Sequence, residues 1–110
     1  MKGVSLLLAE HSGGAVGFAL MRVIADEAEL LLLAVDRQAQ GKGVGSTMLD
    51  HFVAVARAGG ASHLHLEVRD GNSAVALYDA AGFKPAGRRR DYYKGLDGER
   101  HDALTLVLAD

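Results

Sequence analysis

Residue types that chemistry can use gather in two places along the chain. From Val35 to Thr47 the sequence reads V-D-R-Q-A-Q-G-K-G-V-G-S-T, an apolar strand running straight into a glycine-rich turn that opens a helix. Gly41, Gly43 and Gly45 carry no side chain, so several backbone N–H groups can converge on an anion, and the helix N-terminus adds a favourable dipole. Phosphate is the natural ligand of such a loop. Further on, Glu67 lies within an alternating strand, where burial would raise its pKa and suit it to general-base work, directly or through a water. Tyr78, on the helix after Asn72, offers a hydroxyl that can act as a general acid. Each feature also has an ordinary structural reading: a glycine turn capping a helix, a solvated strand-end carboxylate, a core aromatic with a satisfied hydroxyl.

Spacing separates the phosphate loops. A P-loop needs Gly-Lys followed directly by Ser or Thr, whereas Lys42 is followed by Gly43, and Ser46 comes only after Gly45. The dinucleotide fingerprint G-x-G-x-x-G fails at its last step, although Glu67 mimics the downstream acid. What remains is Gln40-x-x-Gly43-x-Gly45 after a strand, which resembles the acyl-CoA pyrophosphate loop of the GCN5-related N-acetyltransferases (GNAT).

The elements that must position these residues are set by pattern. Val4 to Ala9 and Ala15 to Ile24 read as strands joined by His11-Ser12-Gly13-Gly14, whose glycines can supply the positive φ of a hairpin turn. Asp26-Glu27 turns into a third strand, Ala28 to Val35. Three antiparallel strands before the loop also argue against a dinucleotide fold, which places it after the first strand. Met48, Leu49, Phe52, Val53 and Ala56 recur with helical period across Val44 to Ala58, and Gly59-Gly60 end the helix. In the strand His63 to Val68, Leu64, Leu66 and Val68 share one face, and His63, His65 and Glu67 the other. Asn72 is a good N-cap for a helix Ser73 to Ala81, closed by Gly82. Strands Phe83 to about Arg90 and Asp102 to Ala109 come last, with Asp97-Gly98 as a turn signal between them. The predicted order is β-β-β-α-β-α-β-β, an α/β chain.

The segment Leu66-Glu67-Val68-Arg69-x-x-Asn72-x-x-Ala-x-x-Leu77-Tyr78-x-x-x-Gly82-Phe83 closely resembles the second half of the same acetyltransferases. Within that superfamily the chain is most similar to the bacterial RimI-type ribosomal-protein alanine N-acetyltransferases, because Arg89-Arg90-x-Tyr92-Tyr93 and Asp97-Gly98-x-Arg100-x-Asp102-Ala103 resemble their C-terminal pattern. The resemblance implies a GNAT fold: a mixed, mostly antiparallel twisted sheet with helices on both faces, here as a single domain over residues 1–110. It implies acetyl-CoA as cosubstrate, with Ala34 and Val35 offering backbone groups to the acetyl carbonyl and pantetheine arm. Gln40, Gly41, Lys42, Gly43, Val44, Gly45 and Ser46 would hold the pyrophosphate, and Asn72 would meet the pantetheine. Glu67 would be the base and Tyr78 the general acid near the sulfur, with Tyr92 and Tyr93 lining the acceptor groove. The implied acceptor is a protein or peptide N-terminus, with a small-molecule amine as rival, and a truncated non-catalytic acyl-CoA-binding module as an alternative of another class. RimI-type enzymes carry a first strand and two helices before the part matching Val4 to Ala9, whereas only Met1 to Gly3 precede it here. Lacking that cover, the sheet should expose apolar surface and a strand edge, which proteins relieve by association, so a homodimer is expected.

Composition narrows the rest. At 110 residues and 49% hydrophobic, the chain can build one core. A formal charge of −2 gives no basic field for nucleic acid, and the run Lys84, Arg88, Arg89, Arg90, Lys94 is interrupted by Asp91 and reads as a solvated face. No cysteine is present, which removes disulfides, thiolate metal sites and a cysteine nucleophile. His63-x-His65-x-Glu67 puts three potential ligands on one strand face, but such sites usually draw ligands from several elements, so no metal is expected. Nothing near Met1 resembles a signal peptide and no stretch is long enough to span a bilayer, so the expectation is a cytoplasmic protein with no membrane partner.

Overall fold

The computed structural model describes residues 3–108 and divides into two compact units, Met1–Leu64 and His65–Asp110. In the first unit, β1 (Val4–His11), β2 (Gly14–Ile24) and β3 (Glu27–Val35) form an antiparallel meander. The first turn is Ser12-Gly13, at φ +52° and +82°, the two positive values that a right-twisted two-residue hairpin requires. Gly14, read from sequence as part of the turn, is instead the first residue of β2.

A short 3-10 turn (Arg37–Ala39) leads to α1 (Val44–Ala58), with the limits that its apolar period predicts. Helix α1 lies on β2 and β3. Its Met48, Leu49, Phe52 and Ala56 are buried together with Ala19 and Met21 of β2 and Ala28 and Leu30 of β3, none more than 4% exposed. The helix ends in a Schellman motif: the Ala61 N–H reaches the Ala56 carbonyl and the Gly60 N–H the Arg57 carbonyl, both at 3.0 Å, with Gly60 at φ +97°. Ser62 and His63 N–H groups then bond the Asp26 carbonyl at 2.8 and 3.1 Å, tying the end of α1 to the β2–β3 turn.

The other face of the meander is apolar and open. Leu8 pairs with Phe18, Leu6 with Leu20, and Leu20 with Leu32, so these side chains share the face turned away from α1. Leu6, Leu8 and Leu32 are 56%, 57% and 49% exposed. The expected apolar sheet surface is therefore present.

In the second unit, β6 (Arg100–Leu108) pairs antiparallel with β4 (His63–Arg69) on one side and β5 (Phe83–Lys94) on the other. The alternation read in β4 holds, with Leu64, Leu66 and Val68 buried. The helix α2 covers only Val75–Ala80 and packs on β5, with the Tyr78 ring edge-on to Phe83 at 6.4 Å between centroids. Three boundaries in this unit differ from the sequence reading by two residues or more. Helix α2 does not begin at Ser73, because Asn72 to Ala74 form a turn of their own. Strand β5 runs on to Lys94, carried past Asp91 (φ +52°) by a bulge between Arg89 and Tyr93. Strand β6 begins at Arg100, and Ala109, its expected end, lies outside the described residues. The order of strands and helices is the predicted one. No helix among the described residues is long and apolar enough to cross a membrane.

Gly17 shows how tightly α1 sits on the meander. A Cβ there would come within 2.9 Å of the Ala34 carbonyl oxygen and 3.0 Å of the Met48 sulfur, and the first of these is backbone that cannot swing aside. Gly17→Ala should therefore lower unfolding free energy by about 1–3 kcal/mol, the usual cost of overpacking, as measured by urea denaturation.

Candidate active site

The glycine loop is built by hydrogen bonds that fold it back on β3. Asp36 Oδ1 accepts the Gln38 N–H at 3.0 Å, which caps the 3-10 turn. The Gln40 side chain donates through Nε2 to the Val35 carbonyl at 3.1 Å, and its backbone N–H reaches the Arg37 carbonyl at 3.3 Å. Gln40 thus shapes the loop, with its own N–H already used. Gly41 and Gly43 stand at φ +77° and +81°, which reverses the chain twice and leaves Gly43 as the N-cap of α1, without any capping side chain. Gly45 and Ser46 lie in the first helical turn rather than in the loop.

The first bond that closes α1 runs from the Thr47 N–H to the Gly43 carbonyl at 3.0 Å. The N–H groups of Val44, Gly45 and Ser46 come before it and have no acceptor among the described residues. Three parallel donors at the positive end of a 15-residue helix, beside Lys42, are suited to oxyanions. They adjoin a cavity of about 530 Å³ whose walls include Lys42, Gly43, Val44 and Thr47 together with Ala9, His11, Val16 and Asp36. Ala34 and Val35 form the last two residues of β3, opposite Phe18 and Gly17.

In the second unit the expected residues lie on β4, α2 and β5. Asn72 Oδ1 accepts the Ala74 N–H at 2.9 Å, an Asx turn, while its carbonyl accepts the Val75 N–H at 3.1 Å. Its side-chain NH2 remains as the donor it can present to a ligand. The Glu67 side chain is 22% exposed and pairs with Arg89, Oε2 to Nε at 3.5 Å. Tyr78 is 7% exposed, and burial pushes its hydroxyl above the ordinary tyrosine range, so it is a proton donor at neutral pH.

Tyr92 and Tyr93 meet edge to face at 5.1 Å, and the Arg89 guanidinium lies 5.0 Å from the Tyr92 ring centroid. The Tyr93 hydroxyl is pushed up by burial and then by the negative charge of Glu67, with Arg89 acting in the opposite direction. Glu67, Arg89, Tyr92 and Tyr93 therefore form one cluster. From sequence, Glu67 and both tyrosines are expected in the site, whereas Arg89 reads as part of a solvated run. Arg89 comes onto the Glu67 face through the registers of β4 and β5 on β6, just before the bulge between Arg89 and Tyr93, and neither register nor bulge leaves a compositional trace.

That bulge hangs on Asp102, also missed. Asp102 Oδ1 accepts the Asp91 N–H at 2.9 Å and Oδ2 accepts from Arg88 at 2.6 Å, while Arg88 also reaches Asp70 Oδ2 at 2.8 Å. The Asp91 N–H bond, followed by the Arg88 guanidinium, holds the Asp102 carboxyl below the usual aspartate range. As for a metal, His63, His65 and Glu67 do not converge. Among the described residues Asp97, Glu99 and His101, at the β5–β6 turn, each bring a ligand atom within 4.8 Å of the others, with Asp97 Oδ1 already accepting the Glu99 N–H at 2.9 Å.

Residues 2–83 match the model of the acetyltransferase (GNAT) family. The chain belongs to that family. It is 41% identical over 99 residues to the [ribosomal protein bS18]-alanine N-acetyltransferase of Escherichia coli K12, covering 89% of this chain and 66% of that enzyme. It is 38% identical over 91 residues to the N-alpha-acetyltransferase RimI of Mycobacterium tuberculosis, covering 78% of this chain and 56% of the relative. The crystal structure of the E. coli ribosomal-protein-S18-alanine N-acetyltransferase superposes with a TM-score of 0.91 at 37% identity, over 98% of this chain and 70% of that one. The chain thus spans just under two thirds of the E. coli enzyme's full length and a little over half of the mycobacterial one's.

The lowered Asp102 pKa fixes the sign of a pH effect. The folded state holds the carboxylate more strongly than the unfolded chain, so this stabilisation is complete above the ordinary aspartate value of 3.8 and is lost as pH falls through the depressed folded value. Asp102→Asn should be less stable than the parent at neutral pH, and the gap in urea midpoints should narrow steadily below about pH 4.

Proposed function

We propose that this chain is an acetyl-CoA-dependent N-acetyltransferase whose leading acceptor is a protein or peptide N-terminal α-amine, of the ribosomal-protein alanine type. The observation that carries the reading is the end of α1: three N–H donors stand open behind a two-glycine reversal, in a member of a family of acetyltransferases. The similarity to enzymes named for alanine N-terminal acetylation favours the α-amine.

In this reading the N–H groups of Val44, Gly45 and Ser46, with Lys42 alongside, hold the pyrophosphate of acetyl-CoA. Gly41 and Gly43 let the backbone approach it, and Gln40 keeps the loop folded. Ala34 and Val35 present backbone groups of β3 to the pantetheine arm and the acetyl carbonyl, where an N–H stabilises developing negative charge. The Asn72 amide donates to the pantetheine. The bound thioester supplies an activated acetyl group, and the protein's own residues supply proton traffic.

Glu67 takes a proton from the acceptor ammonium, directly or through a water. Tyr78, kept protonated by burial, gives one to the departing sulfur. Tyr92 and Tyr93 form a wall for the acceptor. A carboxylate suffices as base because an α-amine has a pKa of about 7.7–8.0, so roughly a tenth or more is already neutral near pH 7, against about a thousandth of a lysine at about 10.4.

The chain acts as a single acetyltransferase domain in the cytoplasm and needs no metal. The open leucine face of the meander and the outer edge of β1, which carries no charge from Val4 to Ala9, favour a homodimer.

Two experiments test this. With an alanine-starting peptide, Glu67→Gln and Tyr78→Phe should each lower kcat by about 10²–10⁴-fold while leaving acetyl-CoA affinity nearly intact. Turnover of polyamines or aminoglycosides in place of the peptide would move the acceptor to small amines, and acetyl-CoA binding without turnover would make the chain a silent module. Light scattering should give a dimer at micromolar concentration, shifted toward monomer by Leu8→Lys, and a monomeric parent protein removes the dimer.

A further inference from the structure

The charge pairs of the second unit are of two kinds. Arg88 closes on Asp102 at 2.6 Å and on Asp70 at 2.8 Å, and Lys84 closes on Asp79 at 2.7 Å, all hydrogen-bonded contacts. Arg89 stands 3.5 Å from Glu67, beyond hydrogen-bond geometry, although Glu67 is the more buried partner at 22% side-chain exposure against 61%. A flexible, mostly exposed guanidinium thus rests on a partly enclosed carboxylate without the bidentate fork that makes arginine pairs strong. Its other neighbour is the ring of Tyr92, 5.0 Å from centroid to Cζ, with Tyr93 set edge-on behind.

A carboxylate beside an aromatic face is the chemistry that recognises an ammonium ion. The protein's own cation occupies it here, loosely. Arg88 cannot take over that place, because Asp70 and Asp102 hold it.

We propose that Arg89 is a displaceable internal substitute for the acceptor's ammonium: it sits on Glu67 and Tyr92 until a cationic amine replaces it, so the site admits amines that arrive protonated and disfavours neutral ones. The proposal rests on the reading of Glu67 as the residue that meets the acceptor amine. In the free enzyme Arg89 balances the Glu67 charge. When the ammonium arrives, the guanidinium swings to solvent on its flexible stem, and Glu67 is left in contact with the group it deprotonates. Arg89 is on this account a specificity residue that acts by competition. Its removal should help the cation bind, whereas the loss of a merely structural pair would leave amine affinity unchanged or weakened.

The test is an NMR titration of the full chain with L-alanine amide, a minimal N-terminal amine, and with lactamide, in which a hydroxyl replaces the ammonium. At low ionic strength Arg89→Ala should bind alanine amide about two- to five-fold more tightly than the parent, the range expected for one exposed charge pair. Lactamide affinity should not change, Arg89→Lys should restore the parent value, and Glu67→Gln should abolish the gain in the double variant. Unchanged or weaker binding of alanine amide to Arg89→Ala, or an equal gain for lactamide, overturns the proposal. These readouts need no turnover, so a parent protein that binds acetyl-CoA but acetylates nothing would sink the enzymatic reading and leave the Arg89 result to be judged by itself.

Discussion

Phe52, fully buried with Leu49 and Ala56, sets where α1 lies on β2 and β3, and hence where the free N–H groups at its other end come to stand. The anion-binding end of a helix is useful only if the helix cannot shift, since its donors are fixed to the backbone and cannot adjust one by one. Small residues make that fixity possible. Ala19, Ala28 and Gly17 bring the meander close beneath α1, with no room for a Cβ at Gly17, and the Schellman closure at Gly60 pins the far end. The first unit therefore uses its apolar residues to hold a short backbone segment still.

The second unit solves a different problem, that of aiming side chains. A bulge adds residues to one strand and re-aims the side chains on either side of it. In β5 the bulge includes Asp91 at φ +52°, a left-handed conformation that is uncommon outside glycine, asparagine and aspartate. Asp102 offsets the strain by accepting the Asp91 N–H, and it anchors Arg88 with its second oxygen. With Arg88 held between Asp70 and Asp102, the next residue, Arg89, is the one that meets Glu67. Two consecutive arginines thus have distinct surroundings, Arg88 between two carboxylates and Arg89 between Glu67 and the Tyr92 ring.

How much of this was legible in the sequence depends on the range of the forces involved. The limits of α1 could be read because both its apolar period and its glycine terminator are local, and β4 alternates cleanly because one of its faces is buried. The start of α2 lies two residues beyond the one sequence suggests, since Asn72 is a fitting cap by type, yet its oxygen closes an Asx turn on Ala74 before the helix begins. Strand β5 outruns the limit its sequence suggests because the ladder to β6 resumes at Tyr93, beyond a bulge whose Arg90 and Asp91 have weak strand propensity. Glu67 and Tyr78 can be singled out by motif, but the pairing of Glu67 with Arg89 depends on the registers of β4 and β5 on β6, which no window of sequence contains.

The two halves of the proposed chemistry also differ in what they require of sequence. The phosphate end is made of backbone N–H groups, so it asks only for glycines at two turns and a helix that starts on time, and many side chains can surround it. The acceptor end, as proposed, is made of a carboxylate, an arginine and two tyrosines, whose identities would decide which amine is admitted. A family match therefore speaks most directly about the first half, because what many members share is the loop and the fold, whereas acceptors vary within one fold. On the proposed reading the choice of acceptor rests on fewer and less repeated features: the Glu67–Arg89 contact, the Tyr92 face beside it, and the Asp102 hydrogen bond at the bulge. On the proposed reading, a chain that kept the glycine loop and lost Asp102 would still present its phosphate donors, but the bulge that sets where Tyr92 and Tyr93 stand would lose its bond at Asp91, so its preference among amines should change before its hold on the cosubstrate.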